Sequence, residues 1–240
     1  MTPVWHDVGS RPVRSLVLGT AHAGVPELVV VPGLGAPGYL LPGLRACASW
    51  TRVHLLDVPG FGHRRTARLP ADLTTTAEVV TAWLAQVPAA PVVLMGHSTG
   101  AQVSLRAAAG EQVVRVVAAG ITFPPEARRP LPLLLRLLRT LVHERPGELP
   151  AVLPSYLRGA RRLPELLRSA LADRPEDAVP RIPVPLLVLH GQHDRLCPQS
   201  WAQRLAAAAP DGRAIRLPGA HNVPWTHPEQ LSSALAGWCR

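Results

Sequence analysis

Six short apolar runs punctuate this chain, near residues 27–31, 52–57, 91–95, 113–121, 184–190 and 213–217, and longer stretches with helical spacing separate them. All but the last, which carries Arg213 and Arg216, are mostly continuous rather than alternating, and valine, leucine and isoleucine dominate them. A strand with that composition is covered on both faces, as in a parallel sheet. Strands that alternate with helices predict an α/β fold, with a mostly parallel central sheet flanked by helices. An amino-terminal hairpin from about Val4 to Leu18 adds an antiparallel edge. At 240 residues, 47% of them hydrophobic, the chain is long enough for one sizeable core, so residues 1–240 read as a single domain.

One stretch breaks the alternation. Residues 124–182 carry no strand signal, and twelve of the 27 prolines fall between Pro124 and Pro185. The segment from Pro130 to Val142 is an apolar helix interrupted by Arg136 and Arg139, and the segment from Gly159 to Leu171 is a second amphipathic stretch. Helices that cover a pocket and also face water need such a two-faced composition. Some leucines are expected to pack on the core, and others to line an apolar acyl or alkyl site. A basic amphipathic helix can also touch an anionic membrane surface.

The candidate chemistry begins at Gly96-His97-Ser98-Thr99-Gly100, directly after the apolar run from Pro91 to Met95 and directly before the helix-forming segment 101–109. A buried strand that ends in G-x-S-x-G and leads into a helix builds a nucleophile elbow, a turn so tight that its flanking positions must be small. Ser98 is the candidate nucleophile. A serine hydroxyl is weak at neutral pH, so an imidazole must take its proton and a carboxylate must hold that imidazole. Two later segments supply these groups. The run from Pro185 to Leu189 ends in a polar turn carrying Asp194, and Ile215 to Leu217 leads to a loop with His221 at its tip.

Serine, aspartate and histidine in that order resemble the α/β-hydrolase fold family, the large group of serine esterases and their relatives. The resemblance also covers Val29 to Gly35, His54 to Gly62 and Gly219 to His221. It implies a catalytic triad of Ser98, Asp194 and His221. It further implies an oxyanion hole made by the backbone N–H groups of Leu34 and Thr99, and it makes the insert at 124–182 a small helical cap over the active site. Relatives usually carry histidine where this chain has Pro32; proline has no N–H to give, but the implied donor is Leu34. Asp57 matches a position that is usually structural.

The chain has ten histidines, of which only His221 and His227 follow Asp194. His227 sits in Thr-His-Pro-Glu, a helix-capping sequence, so its reading is structural. His97 fills the variable elbow position and reads as a packing residue. His190 and His193 flank the acid turn. No histidine pair has metal-ligand spacing on a helix, so no metal is expected, and the implied reaction needs no cofactor.

The net charge of +9 would suit a nucleic-acid partner, yet all 25 basic residues are arginine, spread without a compact run. No nucleic-acid partner is expected. No uncharged apolar run is long enough to span a membrane, and Met1 to Asp7 has no secretory pattern. Three cysteines without a CxxC pattern suit reduced thiols, and the expected location is cytoplasmic. These features predict a serine hydrolase that cleaves an ester or thioester of a small, largely apolar substrate through an acyl-enzyme. Three alternatives share the residues: a carbon–carbon bond hydrolase, an acyltransferase, and a non-catalytic ligand-binding protein of the same fold.

Overall fold

The computed structural model describes residues 1–9, 11–57, 69–88 and 90–239. Residues 58–62 of the His54–Gly62 motif lie outside the described residues.

Eight strands form one sheet: β1 (Thr2–Val8), β2 (Arg11–Leu18), β3 (Glu27–Val31), β4 (Val53–Asp57), β5 (Val92–His97), β6 (Val113–Ala119), β7 (Leu186–Gly191) and β8 (Gly212–Leu217). Their order is β1-β2-β4-β3-β5-β6-β7-β8. β1 and β2 form the expected antiparallel hairpin, with Thr2 opposite Val17 and Val8 opposite Arg11, and β2 pairs antiparallel with β4. The pairings from β4 across to β8 are parallel. Every residue of β3, β4, β5 and β7 is buried, which is why these strands read as largely apolar runs; the polar Glu27 and His54 among them bond each other at 2.8 Å. β8, at the edge, is half exposed.

Helices cover both faces. On one side α2 (Leu73–Gln86), α3 (Thr99–Arg106) and α8 (Gln199–Ala208) enclose a core that includes Trp83 and Trp201. On the other, α1 (Leu41–Cys47) and α10 (Pro228–Cys239) pack Leu44, Leu231 and Leu235 against Leu28, Val30 and Met95. Asp72 caps α2, its two carboxylate oxygens accepting from the Thr75 N–H at 2.8 Å and the Thr75 hydroxyl at 2.9 Å. Cys47, Cys197 and Cys239 are free and buried. No helix among the described residues is long and apolar enough to cross a membrane.

Between β6 and β7 the chain forms α4 (Pro130–Leu141), α5 (Leu149–Gly159), α6 (Leu163–Ala172) and α7 (Pro175–Ala178). The helix α5 was not anticipated, because Pro154 stands inside it and proline signals a break. Leucines 149, 153 and 157 follow helical spacing across that proline. Two ion pairs fasten the insert: Arg106 to Asp173 at 2.5 Å, and Arg128 to Glu176 through a two-pronged contact at 2.6 and 2.7 Å. α5 and α6 both contact the turn at Gly33–Gly35. The expectation for α4 needs correction. Leu133 packs against the core as expected, but Leu131, Leu134, Leu138 and Leu141 face solvent, and Thr140 is the fully buried residue of the helix.

Candidate active site

β5 ends at His97 and α3 begins at Thr99, so Ser98 occupies the turn between them with φ 57° and ψ −123°. A side-chain-bearing residue at positive φ is strained, and here the surrounding packing imposes it. A Cβ on Gly96 would lie 2.1 Å from the Gly100 carbonyl oxygen, and one on Gly100 would lie 2.2 Å from the Val31 oxygen. Only glycine fits either place, which explains the G-x-S-x-G spacing physically. Ser98 is 7% exposed.

Asp194 follows β7, and His221 follows β8 on the loop that leads to α9 (Val223–Thr226). The fold brings them together across 27 residues: Asp194 Oδ2 lies 2.8 Å from His221 Nδ1. The other carboxylate oxygen accepts the N–H groups of Leu196 at 2.8 Å and Cys197 at 2.9 Å. Burial alone would raise the Asp194 carboxyl. The His221 charge and hydrogen bond, with those two N–H groups, outweigh it and hold the carboxyl below its ordinary value. Burial alone would lower the His221 imidazole. The Asp194 charge and hydrogen bond, then Glu144 and Glu148, outweigh that and hold it above its ordinary value.

Leu34 sits in the short turn after β3, in the left-handed region at φ 42° and ψ 29°. Its N–H donates to Thr99 Oγ1 at 2.8 Å. The implied oxyanion donor is therefore already engaged, by the side chain of the residue that carries the other donor. Pro32, the departure from the family pattern, precedes this turn in extended conformation.

His97 does more than pack. It is buried, and burial pushes its imidazole down to about 3, so the ring is neutral. Its Nε2 lies 2.9 Å from the His221 carbonyl oxygen, which can only accept, so Nε2 carries the proton. Nδ1 is then an acceptor, and the Tyr39 hydroxyl donates to it at 2.7 Å. Tyr39 in turn accepts the Gly33 N–H at 3.1 Å. One directed chain thus ties the Gly33–Leu34 turn to the His221 backbone.

A second tie comes from the insert. Glu144 Oε1 accepts the Asn222 N–H at 2.8 Å, and both Glu148 oxygens accept from Asn222 Nδ2 at 2.9 Å. Burial raises both carboxyls, Glu148 to about 7, where the Glu144 charge adds to the effect. Sequence reasoning did not find Tyr39, Glu144 or Glu148. Asn222 could have been suspected from its place beside His221.

Four further histidines sit near the site or on the insert. His227 precedes α10, with Nδ1 2.9 Å from the Thr226 hydroxyl. His190 is buried, and His193 stacks on His143 with ring centroids 4.4 Å apart. Asp57 is held by Arg14 at 2.5 Å, a structural role.

A family model described as alpha/beta hydrolase family matches residues 28–234. The magnesium-chelatase 30 kDa subunit of Rhodobacter capsulatus is 28% identical over 265 aligned positions, covering 95% of this chain and 91% of that protein. The pimeloyl-[acyl-carrier protein] methyl ester esterase of Xanthomonas oryzae is 29% identical, covering 88% of this chain and 93% of its own. The enol-lactonase from Burkholderia xenovorans LB400 superposes with a TM-score of 0.79 at 19% identity, covering 98% of this chain and 99% of that one, a likeness that carries the fold. The chain belongs to the alpha/beta hydrolase family of enzymes.

Proposed function

We propose that this enzyme hydrolyses a carboxylic ester or thioester of a small, largely apolar substrate through an acyl-enzyme on Ser98. The observation that carries the reading is the strained Ser98 turn in a fold that also holds a buried Asp194–His221 pair. The esterase named above supports an ester as the substrate class.

The Ser98 hydroxyl attacks the carbonyl carbon, and its proton passes to Nε2 of His221, the ring nitrogen not engaged by Asp194. Asp194 fixes the tautomer and stabilises the imidazolium. The tetrahedral oxyanion forms beside the Thr99 N–H, which opens α3 and lacks a partner within the helix. His221 then gives the proton to the leaving alcohol or thiol, the acyl-enzyme forms, and water reverses the sequence to release the acid. The insert at 124–182 acts as the cap that walls the acyl group.

Leu34 enters differently from the family expectation. Its N–H feeds Thr99 Oγ1, and a hydroxyl that accepts one N–H keeps its own proton to donate. The Thr99 hydroxyl then delivers the Leu34 contribution to the oxyanion. Thr99→Val is expected to lower kcat by roughly 10–100-fold, with Thr99→Ser close to wild type. A faster Thr99→Val enzyme would show that the hydroxyl is only a plug.

The deciding experiment is intact-protein mass after fluorophosphonate treatment, for wild type and Ser98→Ala, with p-nitrophenyl ester hydrolysis across acyl lengths. One adduct that disappears in the variant, accompanied by turnover, supports the reading. A folded wild type that takes no adduct refutes it in favour of a ligand-binding role.

A further inference from the structure

The helix α4 wears its apolar side outward. Leu131, Leu134, Leu135, Leu138, Leu141 and Val142 are all exposed, and their spacing of three and four puts them on one stripe. The exposure is large: 65% for Leu131 and 78% for Val142. α5 repeats the pattern at four-residue spacing with Leu149, Leu153 and Leu157, the last 69% exposed. A patch of this kind on a water-facing surface marks an interaction site.

The inner side of α4 is tethered: Leu133 packs against the core, and polar bonds hold the next turns. Thr140 Oγ1 accepts the Arg195 N–H at 3.1 Å, and Arg136 Nη1 donates to the Arg195 carbonyl oxygen at 3.1 Å. The stripe is therefore held outward by bonds on the opposite side rather than being a core face out of place.

The charges around the stripe identify what covers it. Between residues 129 and 168, Arg129, Arg139, Arg145, Arg158, Arg161 and Arg168 are exposed. Three carboxylates lie in the same stretch, and two of them, Glu144 and Glu148, are turned inward onto Asn222. That leaves Glu165 as the exposed one in this stretch; Glu126, just before it, is also exposed and faces Arg204 at 3.9 Å. A protein partner's surface is typically met by tyrosine, tryptophan or methionine anchors, which this face lacks: Tyr156 packs into the core. Leucines on one side of a helix with arginines at its borders match the chemistry of an anionic lipid surface.

We propose that α4, with α5 beside it in sequence, docks this enzyme on the surface of membranes rich in anionic lipid. The leucines enter the acyl boundary and the arginines meet the headgroups. This does not depend on the ester hydrolysis proposed above.

The test is flotation of the full chain with vesicles of phosphatidylcholine, with and without phosphatidylglycerol, at low and high salt. Binding to the anionic vesicles that weakens with salt is the expected result. Leu134→Ser combined with Leu138→Ser should abolish it, and Arg139→Gln should weaken it by about fivefold. Because these side chains are exposed, thermal melts and the far-ultraviolet circular dichroism spectrum should not change, which separates lost docking from lost folding. Absence of flotation at low salt would overturn the proposal. So would a concentration-dependent dimer that the two leucine substitutions dissociate, since a second copy would then cover the stripe. Equal binding by the leucine variant and wild type to anionic vesicles and to polyglutamate would also overturn it, in favour of an acidic protein partner.

Discussion

The sheet and the insert use the same amino acids in opposite senses. In β3, β4, β5 and β7 every side chain is buried, whereas in α4 all the leucines but Leu133 lie outside and a threonine lies inside. Hydrophobicity is a reliable guide to burial where two layers of helix cover a sheet. It fails where a segment is covered by protein on one face and its other face is free to meet something else. The groups proposed for the chemistry follow the same division: Ser98, Asp194 and His221 all stand after the ends of sheet strands, while the insert contributes Glu144 and Glu148, which touch only the loop beyond.

The sharpest way to break this comparison is at Asp194. Asp194→Asn should leave the fold intact and lower kcat by about 10⁴-fold, because the imidazole would hold the wrong tautomer. Steady-state ester hydrolysis checks it, and a loss below tenfold would move the acid elsewhere. Next come two leucines of equal size. Leu94→Ala, in the middle of β5, should cost about 2–5 kcal/mol in urea unfolding. Leu138→Ala, on α4, should change stability by no more than about 0.5 kcal/mol. Equal costs would mean that the outward stripe is packed in solution.

A smaller effect is expected from the insert carboxylates. In the proposed mechanism His221 must be neutral to take the serine proton, and it holds its charge to higher pH than an ordinary imidazole, so kcat/KM should fall as pH drops through a range above that of an ordinary imidazole. Glu148 is one of the groups holding that charge. Glu148→Gln should therefore move the acid limb of the kcat/KM profile to lower pH. A limb that stays in place would confine Glu148 to a structural role. The same substitution should appear in stability. With its carboxyl raised to about 7 from 4.5, folded Glu148 binds a proton that the unfolded chain has released, so stability is lost as pH rises through that window. The thermal midpoint of Glu148→Gln should decline less between those pH values.

Much of the frame was legible from the letters. Strand positions emerged to within two residues at most ends because buried parallel strands leave unbroken apolar runs between turn residues. The elbow was legible because steric crowding leaves only glycine at two fixed places. The pairing of Asp194 with His221 was implied by the family resemblance that the Ser-Asp-His order carries. What was hidden depended on contacts between distant segments. Glu148 lies 74 residues from Asn222, and nothing near either of them announces the bond. Tyr39 and His97 are 58 residues apart. α5 was masked by Pro154, and the outward roll of α4 was decided by Thr140 and Arg136 reaching for Arg195.

The chain from Gly33 through Tyr39 and His97 to the His221 carbonyl leaves His97 with nothing to lend. Its single proton is committed to a carbonyl, and its single lone pair to a phenol. An imidazole 4.9 Å from His221 would seem a ready understudy for it, but this ring is spent on both edges. The enzyme therefore keeps two histidines side by side with no redundancy between them.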